Sequence, residues 1–210
     1  LDQTAISVAD TFTVVAGTPN KVTLVTSASG AVNGVNFTTQ PTVEIQDISG
    51  NKVETSTASI TASASAGATL GGTLTNSAVA GSFTFTNLRL TGEAKQYTLT
   101  FASTGLVSAV QNITNAPGAA TKVTITGSST AANDQALAVQ PVVTVRDASD
   151  NVVTGSTASI TLTATGATIG GTVTMNAVNG VANFDGNGVK LTGLVGAKTI
   201  TATSTPGGFT

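Results

Sequence analysis

Residues 40–47, QPTVEIQD, recur as a close copy, QPVVTVRD, at residues 140–147. A second stretch, STASIT at residues 56–61, returns unchanged at residues 156–161. The period of about 100 residues exceeds the ~20–50 residues of a solenoid unit and matches the size of one β-sandwich domain. The sequence therefore predicts two copies of one module.

The alternation of apolar and polar side chains predicts strands. Val43 and Ile45 lie on one face of the repeated stretch, and Glu44 and Gln46 lie on the other. A period of two residues is typical of half-buried antiparallel strands. In the first copy we predict strands near residues 21–27, 42–48, 57–64, 73–77, 82–90, 95–103 and 107–114, repeated in the second copy through about residue 204, and almost no helix.

The predicted fold class is all-β, with tandem sandwich modules joined by short linkers, and a closed barrel is the alternative. Module 1 is expected at residues 17–116 and module 2 at residues 117–210. Residues 1–16 are interpreted as the last strand of a preceding module. Module 2 is expected to lack a counterpart of the strand that closes module 1.

The predicted core follows from the inward positions of the aligned strands. These residues are Val43, Ile45, Ile60, Phe85, Leu90 and Leu99 in module 1, and Val143, Val145, Ile160, Phe184, Leu191 and Ile200 in module 2.

Composition excludes several functions. Only 9% of the residues are charged and the net charge is −2, so the chain lacks the basic surface that nucleic acids require. No run of ~18 or more apolar residues occurs, so we expect no direct insertion into a membrane. The chain has no Cys and no His, which rules out Ser–His and Cys–His nucleophiles and the usual zinc sites. We therefore predict that it is not an enzyme and needs no cofactor.

Calcium is the one metal with candidate ligands. Asp147, Asp150 and Asn151 lie beside a predicted turn, and Asp185 lies in a glycine-rich loop. Calcium prefers several carboxylate and carbonyl oxygens, whereas Asp and Asn are also ordinary turn residues. The turn interpretation is favoured, because Gly50 replaces Asp150 in the first copy.

Four stretches carry a resemblance to a known family: ATKVTI at residues 120–125, QPVVTVRD at 140–147, DNVV at 150–153, and NGVANF at 179–184. The chain resembles the bacterial immunoglobulin-like repeats of large surface proteins, which include invasin- and intimin-type adhesins and some S-layer proteins. This resemblance implies immunoglobulin-like sandwiches, a location outside the cell, and roles in spacing, display or lattice building.

The expected function is a non-catalytic structural repeat of an extracellular, cell-surface protein in an S-layer lattice, an adhesin stalk or a filament. The alternatives are a module that binds a receptor, a glycan or ice, a phage or virion decoration domain and, last, a carbohydrate-active enzyme. The expected partners are neighbouring modules of the same protein. A bolder hypothesis is that residues 1–15 of one copy donate a strand to module 2 of another.

Overall fold

The computed structural model describes residues 10–209, and these residues form strands and loops with no helix. The predicted all-β fold is thereby confirmed. None of the described residues belongs to a helix with the length and apolar character that a membrane crossing requires. The strands in chain order are β1 (Lys21–Thr26), β2 (Thr42–Gln46), β3 (Ser59–Ala64), β4 (Ala68–Gly71), β5 (Thr75–Ser77), β6 (Ser82–Thr84), β7 (Arg89–Gly92), β8 (Gln96–Ala102), β9 (Ala109–Thr114), β10 (Lys122–Thr126), β11 (Val142–Arg146), β12 (Ser159–Thr165), β13 (Thr168–Gly170), β14 (Thr174–Asn176), β15 (Val181–Asn183), β16 (Lys190–Thr192) and β17 (Thr199–Thr205).

The strands form small antiparallel sheets that each stay within one half of the chain. In the first half, residues 16–116, the sheets have the orders β1-β2-β6, β5-β3-β8-β9 and β4-β7. In the second half, residues 117–209, the orders are β10-β11-β15, β14-β12-β17 and β13-β16. The two patterns correspond strand by strand except for β9. This arrangement of small antiparallel sheets is consistent with β-sandwich architecture.

Each half has its own apolar cluster. Ten of the twelve predicted core residues are fully buried, and these are Val43, Ile45, Ile60, Phe85, Leu90, Leu99, Val143, Val145, Ile160 and Phe184. The prediction needs correction at Leu191 and Ile200, which are only half-buried. In the first half β9 pairs with β8, and Leu99, the counterpart of Ile200, lies opposite Gln111 of β9. Among the described residues, no strand pairs with β17 in that way.

The predicted strand over residues 82–90 is wrong in one respect, because it consists of two strands in different sheets. β6 pairs with β2, and β7 pairs with β4. The chain turns between them at Asn87, whose φ of 63° lies in the left-handed region. Such a turn changes the chain direction, which alternation of side chains along a sequence does not reveal.

Gln140, the first residue of the repeated stretch, links neighbouring loops through hydrogen bonds of its side chain. The Gln140 amide Nε2 donates to the carbonyls of Leu137 at 2.9 Å and Val189 at 3.2 Å. Its Oε1 accepts the Val189 N–H at 2.8 Å. Gln40 forms the same set of three bonds in the first half. These bonds satisfy loop backbone groups that neither sheet pairs, which gives Gln a structural role at both positions.

Candidate functional site at the junction of the two halves

The last residue of the repeated stretch, Asp147, begins a turn directly after β11. Its side chain is only 1% exposed. The Oδ1 oxygen accepts the backbone N–H groups of Ser149 and Asn151, each at 2.9 Å. An Asp side chain that bonds the backbone two to four residues ahead is a common way to fix a turn. This part of the site is local and needs only the 147–151 segment.

The other carboxylate oxygen of Asp147 reaches the first half. Oδ2 accepts the Gly118 N–H at 2.8 Å, the Asn33 amide Nδ2 at 2.9 Å and the Asn151 Nδ2 at 3.0 Å. Asn33 belongs to the first half and is itself buried. A single buried carboxylate therefore joins the linker, its own turn and the opposite half of the chain.

Two asparagines complete the junction. The Asn33 Oδ1 oxygen accepts the Gly92 N–H at 2.9 Å, which orients its Nδ2 group toward Asp147. From the second half, the Asn151 Nδ2 group donates to the Gly92 carbonyl at 3.0 Å. The Asn151 Oδ1 oxygen accepts the Ala94 N–H at 2.7 Å. Because backbone groups of the first half are paired by a side chain of the second, the two halves share one polar network.

Gly118 allows the two halves to approach this closely. A Cβ atom built on Gly118 would lie 2.8 Å from the Asn33 carbonyl oxygen, which is too close for any real contact. Gly17 is the counterpart of Gly118 in the first half, and a Cβ atom there would meet nothing nearer than the Asp47 side chain at 3.6 Å. The close contact is therefore specific to the junction.

The hydrogen bonds determine the charge state of Asp147. Burial by itself raises the pKa of this carboxyl group, but the bonds from Asn151, Gly118 and Asn33 outweigh it and hold the pKa at about 2, below the ordinary 3.8. The Gly17 N–H and the Asn51 side chain likewise hold the pKa of Asp47 at about 2. Both groups are carboxylates at neutral pH.

The lowered pKa values of Asp47 and Asp147 predict that acid destabilises the folded protein. A carboxyl group whose pKa is lower in the folded state stabilises the protein at pH values above its unfolded-state pKa. This stabilisation is lost as the pH falls through the folded-state pKa. We expect the free energy of unfolding to stay nearly constant between about pH 5 and 7 and to fall between about pH 4 and 2. Urea unfolding at several pH values measures this. Asp147→Asn should show a smaller acid decline, and an unchanged decline would contradict the assignment.

Each half also carries counterparts of the junction residues. Asp47 accepts the Gly17 N–H and the Asn51 N–H at 2.8 Å each, as Asp147 does with its own counterparts. Asn51 is exposed, whereas Asn151 is half-buried under the first half. At the far end of the second half, Asn133 accepts the Gly193 N–H at 2.9 Å and is also exposed. Asn133 thus has the orientation of Asn33.

The calcium candidates have other partners in the structure. Both Asp147 oxygens accept N–H donors. The Asp150 carboxylate pairs with the Lys122 ammonium at 2.7 Å. Asp185 accepts the Gly186 N–H at 3.1 Å within an exposed loop. Among the described residues, no group of three or more acidic or other metal-binding side chains comes together.

Sequence reasoning missed two residues of the junction, Asn33 and Gly118. Asn33 has a counterpart, Asn133, at the repeat spacing, just as Gly118 has one in Gly17. Their recurrence at about the repeat spacing is the signal that could have identified them. It does not show that Asn33 contacts Asp147, which lies 114 residues away along the chain.

The comparisons with known proteins find neither a matching family model nor a matching curated protein. Among solved structures, the D0-D1 domain of Intimin is 18% identical, covers 90% of this chain and 92% of that chain, and has a TM-score of 0.32. A beta-glycosidase from Bacteroides vulgatus is 17% identical over 47% of this chain, with a TM-score of 0.39. A Parabacteroides merdae beta-glucuronidase is 16% identical over 48%, with a TM-score of 0.36.

This chain spans only 14% and 13% of the two glycosidase chains. All these likenesses are loose and indicate no function. The fold and the junction themselves define the class: an all-β chain of small antiparallel sheets in two corresponding halves joined by a buried polar network.

Proposed function

We propose that the chain is a non-catalytic structural repeat of a bacterial extracellular surface protein, acting as a spacer or assembly unit in an S-layer lattice, an adhesin stalk or a filament. In this proposal residues 17–116 and 117–210 are immunoglobulin-like sandwich modules. The observation that carries the proposal is the Asp147 junction, which buries a carboxylate between donors from both halves.

The junction suits a spacer because it resists bending. A flexible link would expose Asp147 and Asn33 to water whenever the halves moved apart, and their hydrogen bonds would be lost. The linker between the last paired residue of β9 and the first residue of β10 is also short, which limits reorientation. Two modules held in one orientation transmit force and keep a distal partner at a fixed distance.

The placement of acidic groups supports a role without catalysis. Asp47 and Asp147 are held by N–H donors, and Asp134 pairs with Lys190 at 2.8 Å. Each of these carboxylates is stabilised in its charged form by a partner, whereas a general acid needs a pKa raised toward the working pH.

A measurement of the distance between the halves tests the spacer. The chain has no Cys, so Thr61→Cys and Thr163→Cys give two unique spin-label positions, both on exposed side chains. We expect a narrow distribution of the distance within one chain by pulsed electron paramagnetic resonance, with labelled chains diluted in unlabelled protein so that distances between copies do not contribute. Gly118→Ala should broaden it, because the added methyl group pushes the Asn33 carbonyl away.

Gly17→Ala is the matched control, since its added methyl group meets no such contact within the chain. It should leave the distribution narrow. A distribution in the unmodified protein as broad as that of Gly118→Ala would contradict a stiff spacer.

The proposed location of the protein on the cell surface requires a separate test. Antibodies raised against the chain should label intact cells of the source organism. Labelling that requires permeabilised cells would contradict a surface role and leave the junction unaffected.

A further inference from the structure

A groove runs along the second half beside β17, the counterpart of the strand β8 with which β9 pairs in the first half. Its volume is about 860 Å³. Its walls come from the end of β10, the segment before β11, and the segment between β16 and β17. The lining side chains that matter are Ile125, Leu137, Pro141, Leu191, Lys198 and Ile200.

The apolar lining of this groove is incompletely covered. Leu191 and Ile200 are half-buried, whereas their first-half counterparts Leu90 and Leu99 are fully buried. Ile125 is 40% exposed. In the first half β9 pairs with the edge of β8, but β17 pairs with β12 alone among the described residues. An open strand edge beside an uncovered apolar surface is a template for one more strand.

The chain itself carries a segment with the pattern of β9. Residues 10–16, DTFTVVA, align with residues 111–117, QNITNAP, when Gly17 is matched to Gly118. Phe12 then falls at the position of Ile113, which is buried in the first half. In the structure residues 10–16 belong to no strand, and Phe12 is 86% exposed. The strand expected in residues 1–16 lies partly outside the described residues, which begin at 10.

We propose that residues 10–16 of a second copy of this chain pair with β17 and fill the groove, so that copies join head to tail. This goes beyond the proposed function, because it names the partner and the contact. Strand addition supplies backbone hydrogen bonds along the edge of β17, and the alternate side chains enter the groove.

Side-chain complementarity favours this occupant. Transferring the β8–β9 register to the second half places Phe12 opposite Lys198 and Asp10 opposite Ile200. The apolar stem of Lys198 then packs on the Phe12 ring, and its charge lies diagonal to the Asp10 carboxylate. Diagonal pairs of opposite charge are close enough to attract one another across neighbouring strands.

The polar junction would form again between the two copies. Within one chain, the Asn33 side chain donates to Asp147 beside Gly118. Between copies, Asn133 of the acceptor would donate to Asp47 of the donor beside Gly17. Both sides are already oriented, since Asn133 accepts the Gly193 N–H and Asp47 accepts the Gly17 N–H. The strand and the junction therefore predict the same head-to-tail arrangement independently.

Light scattering on the full chain tests the proposal. We expect a molar mass that rises with protein concentration, as open head-to-tail assembly requires. Deleting residues 1–15 should give monomers at every concentration. Gly17→Ala should also weaken assembly without lowering the thermal stability of the monomer, because its methyl group would clash only with the acceptor's Asn133 carbonyl. A full chain that stays monomeric would overturn the proposal.

Peptide binding to the truncated protein locates the contact. A labelled peptide of residues 7–18 should bind the protein that lacks residues 1–15, and a scrambled peptide should not. Replacing Phe12 with Ala in the peptide should weaken binding by roughly thirtyfold, the equivalent of about 2 kcal/mol. Equal binding of the scrambled peptide would overturn the strand assignment. Peptide binding without assembly of the full chain would overturn the second copy as the occupant.

A surface variant distinguishes the proposed strand contact from nonspecific hydrophobic association. Phe12→Lys in the full chain should abolish assembly. Val79→Lys removes another exposed apolar side chain, 78% exposed and far from the groove lining in sequence, and should leave assembly unchanged. Equal loss in both variants would contradict a specific strand contact.

Discussion

Phe184→Ala is expected to lower the free energy of unfolding of the second half by about 3–5 kcal/mol. Phe184 is fully buried, and it is the one aromatic side chain in the apolar cluster of that half among the described residues. Its removal leaves a cavity that the surrounding valines and leucines cannot fill without moving backbone. In the first half Phe85 contacts the rings of Phe83 and Phe101, which gives that cluster more apolar area.

Urea unfolding measures this prediction. Val178→Ala is the control, because Val178 is 70% exposed and its truncation should change the free energy of unfolding by less than about 0.5 kcal/mol. A loss below about 1 kcal/mol for Phe184→Ala would mean that the side chain does not support the cluster.

Asp147→Ala is expected to lower the free energy of unfolding by roughly 3–4 kcal/mol, because it leaves buried N–H donors without an acceptor. Those donors are the Gly118 backbone and the Asn33 side chain. The loss of bonds between the halves should also separate one cooperative transition into two. Calorimetry follows both the stability and the number of transitions.

Asp47→Ala is the matched control for that variant. It removes the same kind of turn bonds, to Gly17 and Asn51, but no bond between the halves. We expect a smaller loss of stability and no change in the coupling of the halves. Equal effects of the two substitutions would show that Asp147 acts only on its own turn.

Most of the core was predictable from the sequence. The period of two places Val43 and Ile45 on one face, and the repeat transfers the assignment to Val143 and Val145. These residues are fully buried. Alternation and repetition report which face of a strand is apolar, and this property is local to the strand.

The exposure of Leu191 and Ile200 was not predictable in the same way. Their alternation with polar neighbours matches that of buried counterparts, but burial also depends on the elements packed around each strand, which alternation does not report. The division of residues 82–90 into β6 and β7 was also missed. That division depends on the backbone conformation of Asn87, which hydrophobic periodicity does not encode.

The junction was the least predictable feature. An Asp in a turn sequence is expected to bond the backbone of its own turn, and Asp147 does so by accepting the N–H groups of Ser149 and Asn151. Its bond to Asn33 depends on how the two halves meet, and no short-range pattern specifies that contact. The repeat could have suggested the pair, because each copy carries an Asn and an Asp at matching positions.

We expect the Asp147 junction to hold the two halves in one orientation. Backbone ¹⁵N relaxation measured on the monomer, with residues 1–15 deleted to prevent assembly, tests it most directly. The amide groups of both halves should fit a single anisotropic rotational diffusion tensor, and the Asp147→Ala variant should require two. Separate tensors for the two halves in the protein with Asp147 intact would contradict it.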